Sequence, residues 1–560
     1  MKKTVKKNKT LFPNWRAAVL VVAGMCVITG ATAYLWHVAN RPPEQKDYVY
    51  EDTNYGSFLA QQHALYTNDF ESAAIFADQL SGVDINLVNT TGQVSRFLAG
   101  KMDDSARSLK KETRVPLQLI YATHLIKNGD WAGVYERFVN NNSGVLSPLR
   151  IWSAVAVGKE ADAIKFLDSL KHTSESWRNF TAGMIYAETG RKEQAKERFG
   201  KVSLDFLNLN DYAYLMNFYK TAGFDDAANE LRNSFTSRPA GLYMLNQDIN
   251  LDMSAYTGVR GALAFSLIQT VSHSAPMMQS DLAIMLLRMA ELVRPDAADD
   301  NGAAGNDDAL NYYIGLYFYE NDGNYQKFFD RIGKKSPYYP FILLKNADKA
   351  GDFDRMRAEL SRAVNKNPLF VPAIMRLVGI NVQHGRQSDA LRVLDDAYAQ
   401  PNLGDIGRVF LLKTRAQVNL TFGDAAAAQK DVDRATAVVP NDAGVLSEQV
   451  RIWVAENKNL DEAYAYSLSL VKKFPSEIEA WDTLGLVVWK KDGARDALAI
   501  YEKVGWVAET VSSLFEHLGD VYAELGDRDG AVAAYAKALK LSDDGMTIES
   551  VLNQKLKALK

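Results

Sequence analysis

The residues able to do chemistry are scattered rather than gathered. Seven histidines, His37, His63, His124, His172, His273, His384 and His517, stand far apart, and none belongs to a His-Glu-x-x-His pair that could grip a metal from one helix face. The only cysteine is Cys26, so no set of thiolates exists for a zinc site and no disulfide can form within the chain. No Gly-x-x-x-x-Gly-Lys phosphate loop and no Gly-x-Ser-x-Gly nucleophile turn is present. Ser108-Leu-Lys-Lys111 has the Ser-x-x-Lys spacing that lets an amine activate a hydroxyl, but its four residues are of common types and fall on a helix of a repeat. Carboxylates cluster at Asp299-Asp300 and Asp307-Asp308 without the alternating oxygen ligands and terminal Glu of a calcium loop. The residue types point to no catalytic residue, cofactor or metal; His273, Asp281 and Arg288, in the one stretch where the pattern breaks, are the remaining candidates for an enzymatic site.

The elements that would position side chains are far more legible. Between Trp481 and Leu539 the sequence repeats at a spacing of 34 residues: Trp481 returns as Phe515, Leu484 as Leu518, Gly485 as Gly519, Val488 as Tyr522, Ala497 as Ala531, Tyr501 as Tyr535 and Val504 as Ala538. Apolar residues fall at helical spacing on two segments per copy, divided by polar turns at Lys491-Asp492-Gly493 and Leu525-Gly526-Asp527. Each copy is a helix–turn–helix unit, with Gly485, Gly519, Ala497 and Ala531 where two helices approach closely.

These residues resemble the tetratricopeptide repeat (TPR), following its order of Trp, Leu-Gly, Tyr, Ala, Phe and Ala. The resemblance implies an all-α, right-handed helix–turn–helix α-solenoid whose first helices line a concave groove able to hold a polypeptide. By that resemblance the groove carries Lys413, Gln417, Glu448, Ile452, Asp482, Leu486, Trp489, Lys490, Glu516, Asp520 and Glu524. Acids at Glu448, Asp482 and Glu516 argue against the mode that clamps a C-terminal carboxylate with basic and Asn side chains.

Residues 17–39 carry no charge and, at about 1.5 Å per residue, are long enough to cross a bilayer. Six basic residues and no acid precede them, so the positive-inside rule predicts a cytoplasmic N-terminus (1–16), a single transmembrane anchor (17–39) and export of everything after it. Ala31-Thr32-Ala33 offers the alternative of cleavage after Ala33. A spacer (40–54) then leads to a degenerate TPR block (55–239), marked by turns such as Asn68-Asp69, Gly129-Asp130, Gly158-Lys159, Gly190-Arg191 and Gly223-Phe224. An atypical helical segment with an acidic linker (240–310) separates it from a second block (311–545, clearest over 478–545), and 546–560 reads as a capping helix. The plan is similar to long single-anchor TPR proteins of alphaproteobacteria.

A net charge of -4 without a basic stripe excludes nucleic acid as the expected partner. The expectation is a non-enzymatic scaffold in the bacterial inner membrane, its repeats periplasmic, binding other proteins on the concave face. Its alternatives are a structural subunit of an envelope assembly, secretion or polymer-export complex, or an enzyme with its site in 240–310.

Overall fold

The computed structural model describes residues 54–559, apart from 81, 84, 142, 246–252, 275–279, 296–306, 476–477, 506–511 and 542–548. The anchor, its basic flank and most of the spacer therefore lie outside the described residues, as do Cys26, Asp299-Asp300 and the acidic stretch around them. Among the described residues no helix is long and apolar enough to cross a membrane.

The described chain is a succession of antiparallel helix pairs. The first run comprises α1 (Asn54–Tyr66) with α2 (Phe70–Gln79), α3 (Asn86–Leu98) with a 3₁₀ turn (Asp104–Lys111), α4 (Val115–Lys127) with α5 (Trp131–Phe138), α6 (Ser147–Ala156) with α7 (Glu160–Ser169), α8 (Glu175–Glu188) with α9 (Lys192–Phe199), and α10 (Leu209–Ala222) with α11 (Asp225–Thr236). Next come α12 (Gly258–Ser274) and α13 (Ser280–Val293), then α14 (Asp308–Glu320) with the short α15 (Gln326–Phe329), α16 (Tyr339–Asp348) with α17 (Phe353–Lys366), and α18 (Val371–Gln383) with α19 (Gln387–Tyr398). The last run is α20 (Asp405–Thr421) with α21 (Ala425–Val438), α22 (Ala443–Glu456) with α23 (Leu460–Lys473), α24 (Ile478–Asp492) with α25 (Ala494–Gly505), and α26 (Ser512–Glu524) with α27 (Arg528–Lys540), closed by α28 (Glu549–Ala558).

The turns explain why the pairs form. At Gly423 the chain enters the left-handed region (φ 78°), which ends α20, and Asp424 then caps α21 by accepting from the Ala427 amide at 2.9 Å. Asn68 does the work of that glycine at φ 57°, with Asp69 as the cap of α2. In several pairs the helices touch through a glycine. A Cβ on Gly485 would lie 2.5 Å from Tyr501 Cζ, and one on Gly519 would lie 2.5 Å from Tyr535. Gly183 meets Phe199 at the same separation in sequence and at 2.4 Å, so the close approach that is plain in the last repeats persists in a worn one.

The succession changes character at α12 and α13. In α12, Ala262, Leu263, Ala264, Phe265, Leu267 and Ile268 are all fully buried, and in α13 so are Leu286, Leu287, Met289 and Ala290. A helix apolar on every side needs neighbours on every side. Here α13 packs on α3 and α4 and α12 on α6 and α8, the first helices of their pairs, so this hairpin fills the inner face of the first run. Polar bonds fix its position: Trp152 Nε1 donates to Ser266 Oγ (2.8 Å), Gln269 Nε2 and His273 both reach the fully buried Asp211 (2.7 Å each), and Arg288 Nε donates to the Leu98 carbonyl (2.7 Å). Asp307, at the end of the acidic stretch, pairs with the buried Arg294 and caps α14 through the Leu310 amide.

The first hairpin also reaches α14. Tyr317 donates to Asn68 Oδ1 at 3.0 Å, Asn68 Nδ2 donates to the Asn321 carbonyl, and Phe70 packs on Phe318 with ring centroids 5.5 Å apart. One apolar core accordingly runs from Phe70 to Val418, with Trp152 fully buried in it and Trp131 and Trp177 at its edge; smaller clusters continue through the last repeats.

Candidate protein-binding groove

Because α12 and α13 occupy the inner face of the first run, an open concave face is left to the last run, where α20, α22, α24 and α26 lie side by side. A cavity of about 630 Å³ opens there. Its walls include five of the residues expected from the sequence: Lys413 and Gln417 from α20, Glu448 from α22, Leu486 from α24 and Glu516 from α26. Phe410, Leu420, Val454 and Val551 add apolar surface.

Two expected groove residues are withdrawn. Ile452 is 1% exposed and packs in the core between repeats, where the twist of α22 carries it away from the groove. Asp482 is 0% exposed and lies behind the wall rather than on it. The other four, Trp489, Lys490, Asp520 and Glu524, do not line the cavity: Trp489 Nε1 donates to Glu524 Oε2 at 2.8 Å, and Lys490 lies over the Trp489 ring. Asp520 accepts from Tyr535 at 2.6 Å and from Lys555 of α28 at 2.8 Å, and Lys555 also holds Glu516 at 2.8 Å.

The acids expected to give the groove a negative character are thus engaged from within. Gln417 Nε2 donates to Glu448 Oε1 at 2.6 Å. His517 Nδ1 donates to Asp482 Oδ1 at 2.8 Å, and Arg451 approaches Oδ2 at 3.4 Å. Burial alone would raise the Asp482 carboxyl, but the charge and hydrogen bond of His517, with Arg451, outweigh it and hold the group below the usual carboxylate range. Burial likewise works against the His517 imidazolium, yet Asp482 outweighs it and raises the ring above the ordinary histidine value.

Arg451, Glu479, Ser513 and His517 also line the cavity and were not singled out from the sequence. Helical spacing held the signal, since Arg451 follows Glu448 by three residues and His517 follows Ser513 by four, placing each pair on one face.

The residues raised as a catalytic set do not converge among the described contacts. His273 is paired with Asp211, Arg288 with Glu291 and the Leu98 carbonyl, and Asp281 lines a mostly apolar cavity of about 730 Å³ between α3, α4 and α13. Ser108 donates to the Ser105 carbonyl in a 3₁₀ turn rather than on a repeat helix.

No protein-family model matches the sequence, and no curated protein matches it significantly. Among solved structures it is similar to a tetratricopeptide repeat protein from Parabacteroides merdae (13% identity, 53% of this chain and 98% of that one, TM-score 0.31). It is also similar to TTC0263, a TPR protein of Thermus thermophilus (19%, 33% and 98%, 0.27), and to yeast Tom70 (12%, 81% and 95%, 0.33). The 34-residue period, the capped helix pairs and the glycine-to-ring contacts inside them identify the architecture of this chain as a TPR-type α-solenoid.

Proposed function

We propose that the chain is a protein-interaction scaffold that holds a polypeptide partner in the concave groove of α20, α22, α24 and α26, with the first run of hairpins closed around its own α12 and α13. The observation that carries this reading is the cavity of about 630 Å³ lined by Lys413, Glu448, Glu479 and Glu516 beside Leu486 and Phe410. Both charge signs next to apolar surface suit the mixed side chains and backbone of a protein ligand.

The uncharged run 17–39 and its basic flank support tethering to the bacterial inner membrane with the repeats on the periplasmic side. Tethering confines bound partners to a thin layer and raises their effective concentration.

The test is purification of the full-length chain from membranes after in-cell crosslinking. Under this reading, a small set of proteins accompanies the wild type and is depleted by Lys413→Glu combined with Glu479→Lys. Protease added to spheroplasts should degrade the repeats while sparing the N-terminus. An undiminished set in the double variant sinks the groove, and repeats protected until the membrane is lysed sink the orientation.

A second reading, a fixed subunit of an envelope assembly, draws on apolar side chains left in the open on the first hairpins. Tyr55 (72% exposed), Tyr66 (74%), Leu59, Ile75, Ile85 and Leu87 concentrate there. It predicts a stoichiometric complex that survives groove substitutions and dissociates with Tyr66→Lys and Leu87→Lys.

A further inference from the structure

Asp482, fully buried on α24, has both carboxylate oxygens taken by neighbouring first helices: Oδ1 by His517 of α26 and Oδ2 by Arg451 of α22. A carboxylate only accepts, so the proton in the His517 bond belongs to Nδ1. That bond fixes the ring. The Nδ1 edge is turned into the wall, His517 itself lines the cavity, and Nε2 has no protein partner among the described residues.

Resting on the groove reading above, we propose that His517 reads a hydrogen-bond acceptor oxygen of the bound polypeptide, a carbonyl or a carboxylate, through Nε2–H, and that the groove loses this donor when the imidazole is deprotonated. In the neutral ring Asp482 keeps the Nδ1 proton, so Nε2 becomes an acceptor. A contact that joined donor to oxygen then sets two lone pairs against each other.

The groups around the ring are consistent with this role. Asp482 and Glu479 face it from α24, Arg451 and Glu448 from α22, Tyr501 from α25, and Glu516 and Asp520 share its own helix. Lys555 of α28 is spent on Glu516 and Asp520. Glu448 is bonded to Gln417 and Glu516 to Lys555, so Asp482 is the acid in direct contact with the ring, and Asp482 is screened from a ligand by the ring itself. Lys413 of α20 lines the same cavity, makes no ion pair among the described residues, and adds a cation to Arg451 and the imidazolium. Glu479 is exposed in the same cavity and makes no ion pair among the described residues, so a ligand carboxylate competes with it for these cations while a neutral carbonyl oxygen does not; the Nε2–H donor suits either.

The experiment is an NMR titration of the full-length protein, ¹³C-labelled at histidine, in detergent micelles, with the His517 signal assigned by its loss in His517→Gln. Acetate probes for a carboxylate and N-methylacetamide for a carbonyl. Below the midpoint of the His517 titration, one or both should move its signal saturably. Well above the midpoint the same probe should bind about tenfold or more weakly, as expected when a charge-assisted bond is removed. A response to acetate alone assigns a carboxylate, and a response to both assigns an acceptor oxygen of either kind. Failure of both probes to shift the signal at any pH, or equal affinity on the two sides of the titration, overturns the proposal. This comparison is made in the wild-type chain, so no variant has to fold for it to count. No partner enters it, so its failure leaves the groove reading standing, while undiminished partner capture by groove variants would sink that reading whatever the imidazole does.

Discussion

His517 Nδ1 stands 2.8 Å from Asp482 Oδ1 and joins α26 to α24 across a repeat boundary. The pair has opposite consequences at the two ends of the pH scale. His517 is raised in the folded chain, so its stabilisation is complete below the ordinary histidine value and fades as pH rises through the raised one. Asp482 is depressed, so its share is present above the ordinary carboxylate value and fades as pH falls through the depressed one. Thermal unfolding of wild type against His517→Gln should differ most in mildly acidic buffer and converge in alkaline buffer. A difference that grows with rising pH would contradict the assignment.

Asp482→Asn removes the acid that answers both Arg451 and His517, leaving the Arg451 guanidinium facing a neutral amide and the His517 imidazole without the charge that favours its protonated form. Breaking a buried pair from one side costs about 3–5 kcal/mol. Chemical denaturation should show a loss of that size confined to the last run of hairpins, with α4–α11 unfolding as before.

Gly485 leaves no room for a methyl group against the Tyr501 ring, which is itself fully buried. Gly485→Ala should cost roughly 1–3 kcal/mol by overpacking. Gly333→Ala, in a loop where a Cβ meets open space, serves as the control and should shift the melting curve little.

Phe265 is buried within α12 and stacks on Phe180 of α8 at 5.8 Å. Phe265→Ala should destabilise the first run by about 3–5 kcal/mol. Hydrogen exchange should find the amides of α12 and α13 among the slowest of that run, because they lie at its centre; rapid exchange there would contradict the filling of its inner face.

Lys555 is the tie between α28 and the groove, holding Glu516 and Asp520 at 2.8 Å each. Lys555→Met should leave the melting temperature almost unchanged, at a cost of about 1 kcal/mol or less. Limited proteolysis should nonetheless cut more readily before Leu552, since the helix loses its polar anchor and keeps only its apolar one.

The repeats and their turns were readable because each rests on local rules. Gly423-Asp424 ends one helix and caps the next whatever surrounds it, and Gly485 with Tyr501 repeats as Gly519 with Tyr535. The role of α12 and α13 was not, since the absence of a turn signature reads as interruption when it marks a hairpin drawn inward. Its sequence trace was hydrophobicity on all sides, from Ala262 to Ile268 and from Ile284 to Leu287. The groove was half legible. Spacing placed Lys413, Gln417, Glu448, Leu486 and Glu516 on one wall, but it could not tell that Asp482 points behind that wall, because burial between repeats depends on the rotation of α24 against α22 and α26.

The central claim, that polypeptide partners occupy the groove of the last run, is tested most directly by photo-crosslinking in cells from single positions on opposite faces. A photoreactive residue at Gln417 or Leu486 should capture discrete protein partners, and Lys413→Glu should weaken that capture. The same group at Arg392, exposed on the second helix of its pair, should capture none of them. Partners caught from position 392 and not from 417 or 486 would contradict the account.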